Sequence, residues 1–131
     1  MKSLQKIHIP PNANIWKHEL DTARALANHG YEVEFLRTSN MPRHKTPDIL
    51  MDGLQWELKS PRTDKLSAIE RNLKRASKQS QNIITDTHRL QRLHDASVQK
   101  LLIQKLRGQK TIQRLLLVNR KREVIDIASL I

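Results

Sequence analysis

Asp48, Glu57 and Lys59 are the residues of this chain whose types and spacing could do chemistry together. They lie in two short runs of alternating apolar residues around Asp52-Gly53, and an Asp-Gly pair in this setting predicts a type I′ hairpin with a two-residue turn. Counting outward from the turn places Asp48 opposite Glu57. Because side chains alternate across a strand, Asp48, Glu57 and Lys59 share one face. The other face takes the apolar side chains Ile49, Met51, Leu54, Trp56 and Leu58.

Two carboxylates opposite each other on a hairpin repel, and a cation between them relieves the repulsion. Hard oxygen ligands of this kind suit Mg²⁺ or Mn²⁺, which bind through few carboxylates and keep several waters. In a phosphodiester-cleaving site the metal would activate water and neutralise the phosphate, and Lys59 would position or deprotonate that water or stabilise developing charge. The alternative is a solvated pair of acids, Asp48 and Glu57, whose repulsion Lys59 merely reduces.

The charge of the chain favours a polyanionic partner. It has 24 Lys and Arg against 13 Asp and Glu in 131 residues, a net charge of +11, which predicts nucleic acid rather than an anionic membrane surface. No apolar run reaches membrane-spanning length, and the absence of cysteine excludes disulfides and thiolate metal sites and suits a reducing cytoplasm. The candidate phosphate contacts, which could equally be a solvated helix face, are Arg71, Lys74, Arg75 and Lys78.

Periodicity and turn signals predict one α/β domain over residues 1–131, in the order α-β-β-β-α-β-α-β-β. Trp16 is predicted to be buried on the first helix, residues 38–45 to form a loop, and Asp86 to brace the site from a strand end. The first predicted helix begins at Asn12 or Asn14 and ends near His29. The second spans Ser67–Ser80, with an alternative start at Asp64, and the third spans Asp95–Arg107. The predicted strands are Tyr31–Leu36, residues 47–52 and 54–59, Asn82–Asp86, Ile112–Val118 and Val124–Ile127.

The motif Pro47-Asp48 followed by Glu57-Leu58-Lys59 matches the PD-(D/E)XK nuclease motif. The predicted order matches that superfamily's αβββαβ core, a mixed central sheet flanked by helices, with a C-terminal helix and two strands added. Over residues 14–90 the chain also resembles the C-terminal tRNase toxin domain of CdiA-type contact-dependent inhibition proteins. That resemblance rests on His18-Glu19-Leu20, Gly30-Tyr31-Glu32-Val33, Thr46-Pro47-Asp48-Ile49, Trp56-Glu57-Leu58-Lys59-Ser60-Pro61, and Ala76 through Gln79 to Asn82-Ile83-Ile84.

The resemblance implies further site residues. Glu19 would complete a metal shell with Asp48 and Glu57, so that these three acids and Lys59 form the catalytic set. Gln79 would point from the second helix toward the site, and Ser60 would contact substrate.

The resemblance also implies a function. The chain would hydrolyse phosphodiester bonds of structured RNA, most plausibly tRNA, in the cytoplasm of a target cell, and an acidic immunity protein would bind it in the producing cell. It opens with Met1 and shows no delivery region, so it is either a domain separated from a larger delivered protein or a stand-alone protein. Two other functions stay open: a DNA endonuclease of the same fold, in repair or a mobile element, and a non-catalytic nucleic-acid-binding module.

Overall fold

In the part of the chain that the structure describes, seven short strands form one mixed sheet whose spatial order follows the chain. A computed structural model describes residues 6–38 and 47–131. The strands are β1 (Ile7–His8), β2 (Val33–Phe35), β3 (Ile49–Met51), β4 (Leu54–Lys59), β5 (Asn82–Asp86), β6 (Arg114–Val118) and β7 (Val124–Asp126). The α-helices are α1 (Lys17–Asn28), α2 (Leu66–Ser77) and α3 (Asp95–Gly108), and a 3₁₀ turn over Ile127–Leu130 follows β7.

The pairing of the strands is parallel where a helix connects them. β4, β5 and β6 run parallel, with α2 and α3 as the crossovers, whereas β2–β3, β3–β4 and β6–β7 are antiparallel. This is the arrangement expected, because short turns can join only antiparallel neighbours.

The β3–β4 hairpin has the geometry that its sequence predicts. Asp52 and Gly53 both have positive φ angles, 58° and 73°, as a type I′ turn requires. Ile49 pairs with Trp56, and the Asp48 N–H donates to the Trp56 carbonyl at 3.0 Å. The predicted register is confirmed for the pairs Ile49–Trp56, Leu50–Gln55 and Met51–Leu54. The ladder ends at Ile49, and the Asp48 N–H donates to the Trp56 carbonyl, so the predicted pair of Asp48 with Glu57 lies just beyond the paired residues.

Two apolar clusters hold the helices against opposite faces of the sheet. Ala23 and Leu26 of α1 pack with Ile49, Trp56 and their neighbours on one face. On the other face, buried residues of α2 and α3 pack with those of β5 and β6, and these are Ile69, Leu73, Ala76, Val98, Leu102, Ile83, Leu115 and Leu117. Burying the Leu, Ile and Val side chains of these clusters contributes about 1.5–3 kcal/mol each. The first cluster includes Ile49, Met51 and Trp56, so the hairpin is held by the core directly behind it.

The predicted element order is confirmed from α1 through β7. The order from α1 to β5 is αβββαβ, and α3, β6 and β7 follow as the added helix and two strands. No helix within residues 6–38 and 47–131 has the length and apolar character needed to cross a membrane.

Three details at the N-terminal side differ from the prediction. α1 begins at Lys17, because the chain turns at Asn12, whose φ is 61°, so the predicted starts at Asn12 or Asn14 are wrong. Trp16 therefore precedes the helix and is 52% exposed, and its prediction as a core residue is also wrong. β1 was not predicted, because it has only two residues and pairs with β2 across the whole of α1. The loop predicted over residues 38–45 lies, beyond Thr38, outside the described residues.

Candidate active site

The acidic residues of the hairpin line a cavity of about 320 Å³. Its wall combines residues from the start of α1, the end of β2, both hairpin strands and α2. Glu57 faces the side of the sheet that α2 covers, because its strand partner Ile83 packs against that helix. All four residues of the predicted catalytic set, Glu19, Asp48, Glu57 and Lys59, line this cavity, and so do the predicted substrate contacts Ser60 and Gln79.

Asp48 is fixed by two donors. One carboxylate oxygen, Oδ2, accepts a hydrogen bond from the Leu58 N–H at 2.6 Å, and Oδ1 lies 2.7 Å from Nη2 of Arg37. The residue is 5% exposed, and this burial raises the pKa of Asp48, although the charge of Arg37 and the Leu58 hydrogen bond oppose the shift. Asp48 thus has a rigid position on the cavity wall.

Glu57 has one engaged oxygen and one open oxygen. Oε2 lies 3.4 Å from Lys59 Nζ, whereas Oε1 is buried and has no hydrogen-bond partner in the described part of the chain. Burial and the negative charge of Asp48 raise the pKa of Glu57 to about 7, and Lys59 opposes the rise. A buried polar atom without a partner is costly and indicates a binding group, so Oε1 is the atom of the site most suited to receive a ligand.

Arg37 is a site residue that the sequence reasoning missed. Its side chain is 2% exposed, and its Nη2 contacts Glu19 Oε2 as well as Asp48. The signal was present in the strand pattern, since Val33, Phe35 and Arg37 follow one another at the two-residue spacing of an inward face. An arginine at such a position needs buried carboxylate partners.

Glu19 reaches the site through Arg37 and also stabilises the start of α1. Its Oε1 accepts the backbone N–H of Trp16 at 2.9 Å, as an acidic residue in the first turn of a helix often does. The structure thus brings Glu19 beside Asp48, as expected, through a shared arginine. Its role as a metal ligand stays a prediction.

The polar residues around the acids come from three segments. Ser60, directly after β4, lines the cavity, and its buried Oγ has no hydrogen-bond partner among residues 6–38 and 47–131. Gln79, just beyond the end of α2, also lines the cavity, as the family resemblance implied. Asn72 lines the cavity from α2, two turns before Gln79. Asn72 was missed, although its spacing of seven residues from Gln79 placed both on one side of α2. Arg89 also lines the cavity, and its Nη1 donates to the Ser60 carbonyl at 3.3 Å.

The basic side chains of α2 lie outside this cavity. The four predicted phosphate contacts are exposed, and none of them contributes to its wall. They are Arg71, Lys74, Arg75 and Lys78.

The donor set fits a divalent cation held by two carboxylates. Asp48 and Glu57 present oxygen ligands on one wall, and Glu57 Oε1 is open. Mg²⁺ and Mn²⁺ bind through one or two carboxylates and keep several waters. Across residues 6–38 and 47–131, no three or more His, Asp and Glu side chains form a ready-made metal cage. Glu19 is instead paired with Arg37.

Asp86, at the end of β5, ties α1 to the sheet. Both of its oxygens accept from Arg122, at 2.9 and 3.0 Å, and Oδ2 also accepts from Thr22 Oγ1 at 2.6 Å. Burial alone would raise the pKa of Asp86, but the hydrogen bonds from Arg122, Thr22 and the His88 N–H lower it. Because Thr22 lies one turn after Glu19, this contact braces the part of α1 that carries the site acid.

The fold and the site together define a single mixed α/β domain with a carboxylate-lined cavity at a β-hairpin. A family model described as "Contact-dependent growth inhibition CdiA C-terminal domain" matches residues 45–124, which is more than half of the chain. The chain therefore belongs to the CdiA C-terminal domain family, as the sequence resemblance indicated. The match includes the whole β3–β4 hairpin.

A solved structure has the same fold. A chain of the CdiA-CT/CdiI toxin and immunity complex from Burkholderia pseudomallei superposes with a TM-score of 0.64 at 18% identity, covering 91% of this chain and 92% of that chain. At that identity the likeness shows the fold alone. A comparison with curated proteins found no match.

Proposed function

We propose that this chain is the toxic domain of a contact-dependent growth inhibition system and acts as a metal-dependent endonuclease. The observation that carries the proposal is the placement of Asp48 and Glu57 on the wall of one cavity, with Lys59 Nζ 3.4 Å from the Glu57 carboxylate. Membership of the CdiA C-terminal domain family supports the toxic role.

The order αβββαβ and the Asp48, Glu57 and Lys59 pattern support membership of the PD-(D/E)XK superfamily. In this interpretation Asp48 and Glu57, with Glu19 close by, hold one or two divalent cations. A bound divalent cation supplies Lewis-acid chemistry, lowering the pKa of water and neutralising charge on the phosphate.

The protein side chains position the reacting groups. The Leu58 N–H and Arg37 fix the two oxygens of Asp48, so that this ligand needs no rearrangement. Lys59 is 24% exposed at the cavity, where its ammonium group can orient the attacking water or stabilise charge on the phosphate. Ser60 Oγ and the Gln79 side chain offer hydrogen bonds to the substrate beside it.

The proposed substrate is structured RNA, with tRNA favoured by the family resemblance. The net charge of +11 supports a nucleic-acid substrate of either kind. An acidic immunity protein would neutralise the basic surface in the producing cell, and the immunity partner in the Burkholderia complex supports such a protein here. The proposed site of action is the cytoplasm of a target cell, after delivery as part of a larger protein.

The test is to incubate the purified chain with total tRNA and, separately, with plasmid DNA, each with Mg²⁺, with Mn²⁺ and with a chelator. The proposal expects tRNA fragments with either metal, none with chelator, and intact plasmid. Cleavage of plasmid alone would assign a DNA endonuclease. Binding of nucleic acid that is insensitive to chelator and leads to no cleavage would assign a binding module, and either result overturns the proposal.

A further inference from the structure

A second cavity, of about 260 Å³, lies between the segment that follows β4 and the outer side of α2. Arg62, Arg71 and Arg75 line it, and its lining contains no acidic residue. We call this second cavity the arginine cavity. Only Arg71 and Arg75 belong to the four basic residues that the sequence singled out on the helix.

The three guanidinium groups have no anionic partner among the described residues. Within residues 6–38 and 47–131, no carboxylate lies within 4.0 Å of any of them. Arg71 and Arg75 are one turn apart on α2, a spacing at which like charges repel and destabilise a helix. Arg89 adds a fourth guanidinium group, whose Nη1 donates to the carbonyl of Ser60, two residues before Arg62; burial, and then the charge of Arg62, lowers the pKa of Arg89. The fold thus maintains a local excess of positive charge at a recess.

The arginine cavity adjoins the carboxylate-lined cavity. Asn72 lines both cavities, and the chain runs from Lys59 and Ser60, in the first, directly to Pro61 and Arg62, in the second. A ligand long enough to leave the first cavity along this side meets the guanidinium groups next. A nucleic-acid strand is such a ligand, because its phosphates recur at every nucleotide.

We propose that the arginine cavity is a phosphate-binding subsite for the substrate strand, holding a phosphodiester group that flanks the one to be cleaved. The planar guanidinium group presents paired donors that match phosphate oxygens, which a lysine does not. Phosphate contacts fix register and carry no base information, so the subsite positions the strand without choosing its sequence. The inference rests on the proposed function, whose substrate it concerns.

The chain offers a matched pair of variants. R71A/R75A and K74A/K78A each remove two positive charges spaced four residues apart in the same segment, but Lys74 and Lys78 line neither cavity. Binding of tRNA would be measured in chelator, so that no cleavage occurs, over a range of salt concentrations. R71A/R75A is expected to lose about tenfold or more in affinity and to lower the salt slope by about 1–2, whereas K74A/K78A changes affinity by about threefold or less.

Three further experiments separate phosphate binding at the arginine cavity from loss of folding and from a general effect of charge. Urea unfolding checks that both double variants fold. Each variant relieves a repulsion between two like charges four residues apart, so R71A/R75A and K74A/K78A should have similar stability. Titration of the wild-type chain with inorganic phosphate should shift the Nε–H NMR signals of Arg62, Arg71 and Arg75. R71K/R75K, which keeps the charge but not the paired donors, should recover only part of the affinity.

Equal loss of tRNA affinity in the two double variants would contradict the proposed subsite. A phosphate titration that shifts none of the three arginine Nε–H signals would contradict it as well. If R71A/R75A binds tRNA normally but loses binding to an acidic protein, the cavity belongs to that partner and the proposal is again wrong. Failure of the proposed function looks different: the wild-type chain would cleave no nucleic acid, whereas the difference between the two double variants in binding would remain.

Discussion

Arg37 Nη2 lies 2.7 Å from Asp48 Oδ1, and the same nitrogen contacts Glu19 Oε2. One guanidinium group therefore joins an acid from the start of α1 to an acid from the start of the hairpin. All three side chains are buried, so solvent screens their charges less than it screens those of exposed side chains. This contact holds two of the three candidate metal ligands in place.

Replacing Arg37 should destabilise the protein strongly. R37M keeps an apolar stem of similar length but leaves Glu19 and Asp48 buried without a counter-charge, which is expected to cost about 3–5 kcal/mol in the free energy of unfolding. The matched control is R24M, because Arg24 on α1 is exposed and lies 3.8 Å from Asp21, a surface pair that contributes about 1 kcal/mol or less. Urea unfolding at pH 7 in chelator measures both variants. A cost for R37M no larger than that for R24M would contradict this account of the contact.

The raised pKa of Glu57 should make stability depend on pH. Its ordinary value is 4.5 and its value in the fold is about 7, so the folded state binds the proton more tightly than the unfolded state does. Protonated Glu57 therefore contributes up to about 3 kcal/mol to the free energy of unfolding. This contribution is fully present below pH 4.5 and is lost as the pH rises through about 7. Unfolding free energies in chelator should fall from pH 5 to pH 8 in wild type and fall less in E57Q. An E57Q slope equal to that of wild type would show that Glu57 does not titrate in this range.

Divalent metal should reverse part of that loss. Mn²⁺ or Mg²⁺ that binds only the folded state stabilises it, by about 2.7 kcal/mol at a hundred times the dissociation constant. The increase should be larger at pH 8 than at pH 6, because a proton on Glu57 competes with the cation. D48N should lose the effect, whereas D52N should keep it, because Asp52 is an exposed turn residue and Asn-Gly forms the same turn. Equal stabilisation of D48N and D52N would place the metal elsewhere.

The parts of the site that the sequence predicts are those that depend on local geometry. Asp52-Gly53 is sufficient to set the register of the hairpin up to Ile49, and alternation then places Glu57 and Lys59 on one face. Asp48 follows directly after the last pair of the ladder. Arg37 could not be placed in this way, because its partners are distant in the sequence. They are Glu19 on α1 and Asp48 at the start of the hairpin. Tertiary packing decides contacts of that kind. Local periodicity indicates only that Arg37 faces inward, and it does not identify the partners.

Two other features show the same limit. Trp16 fits the apolar period of α1, but the turn at Asn12 and the helix start at Lys17 leave it outside the packed stripe. The charge pattern of α2 treats Arg71, Lys74, Arg75 and Lys78 alike. Only the fold separates the two arginines, which share a recess with Arg62, from the two lysines, which line neither cavity.

The most direct test of metal-dependent cleavage at this site is the single-turnover rate of tRNA hydrolysis by E57Q in Mg²⁺. The control is E34Q, the same substitution at an exposed position of β2. The account predicts that E57Q loses about 100-fold or more in rate and that E34Q stays within about twofold of wild type, with unfolding curves showing that both variants are folded. E57Q that cleaves tRNA at the wild-type rate would contradict the account.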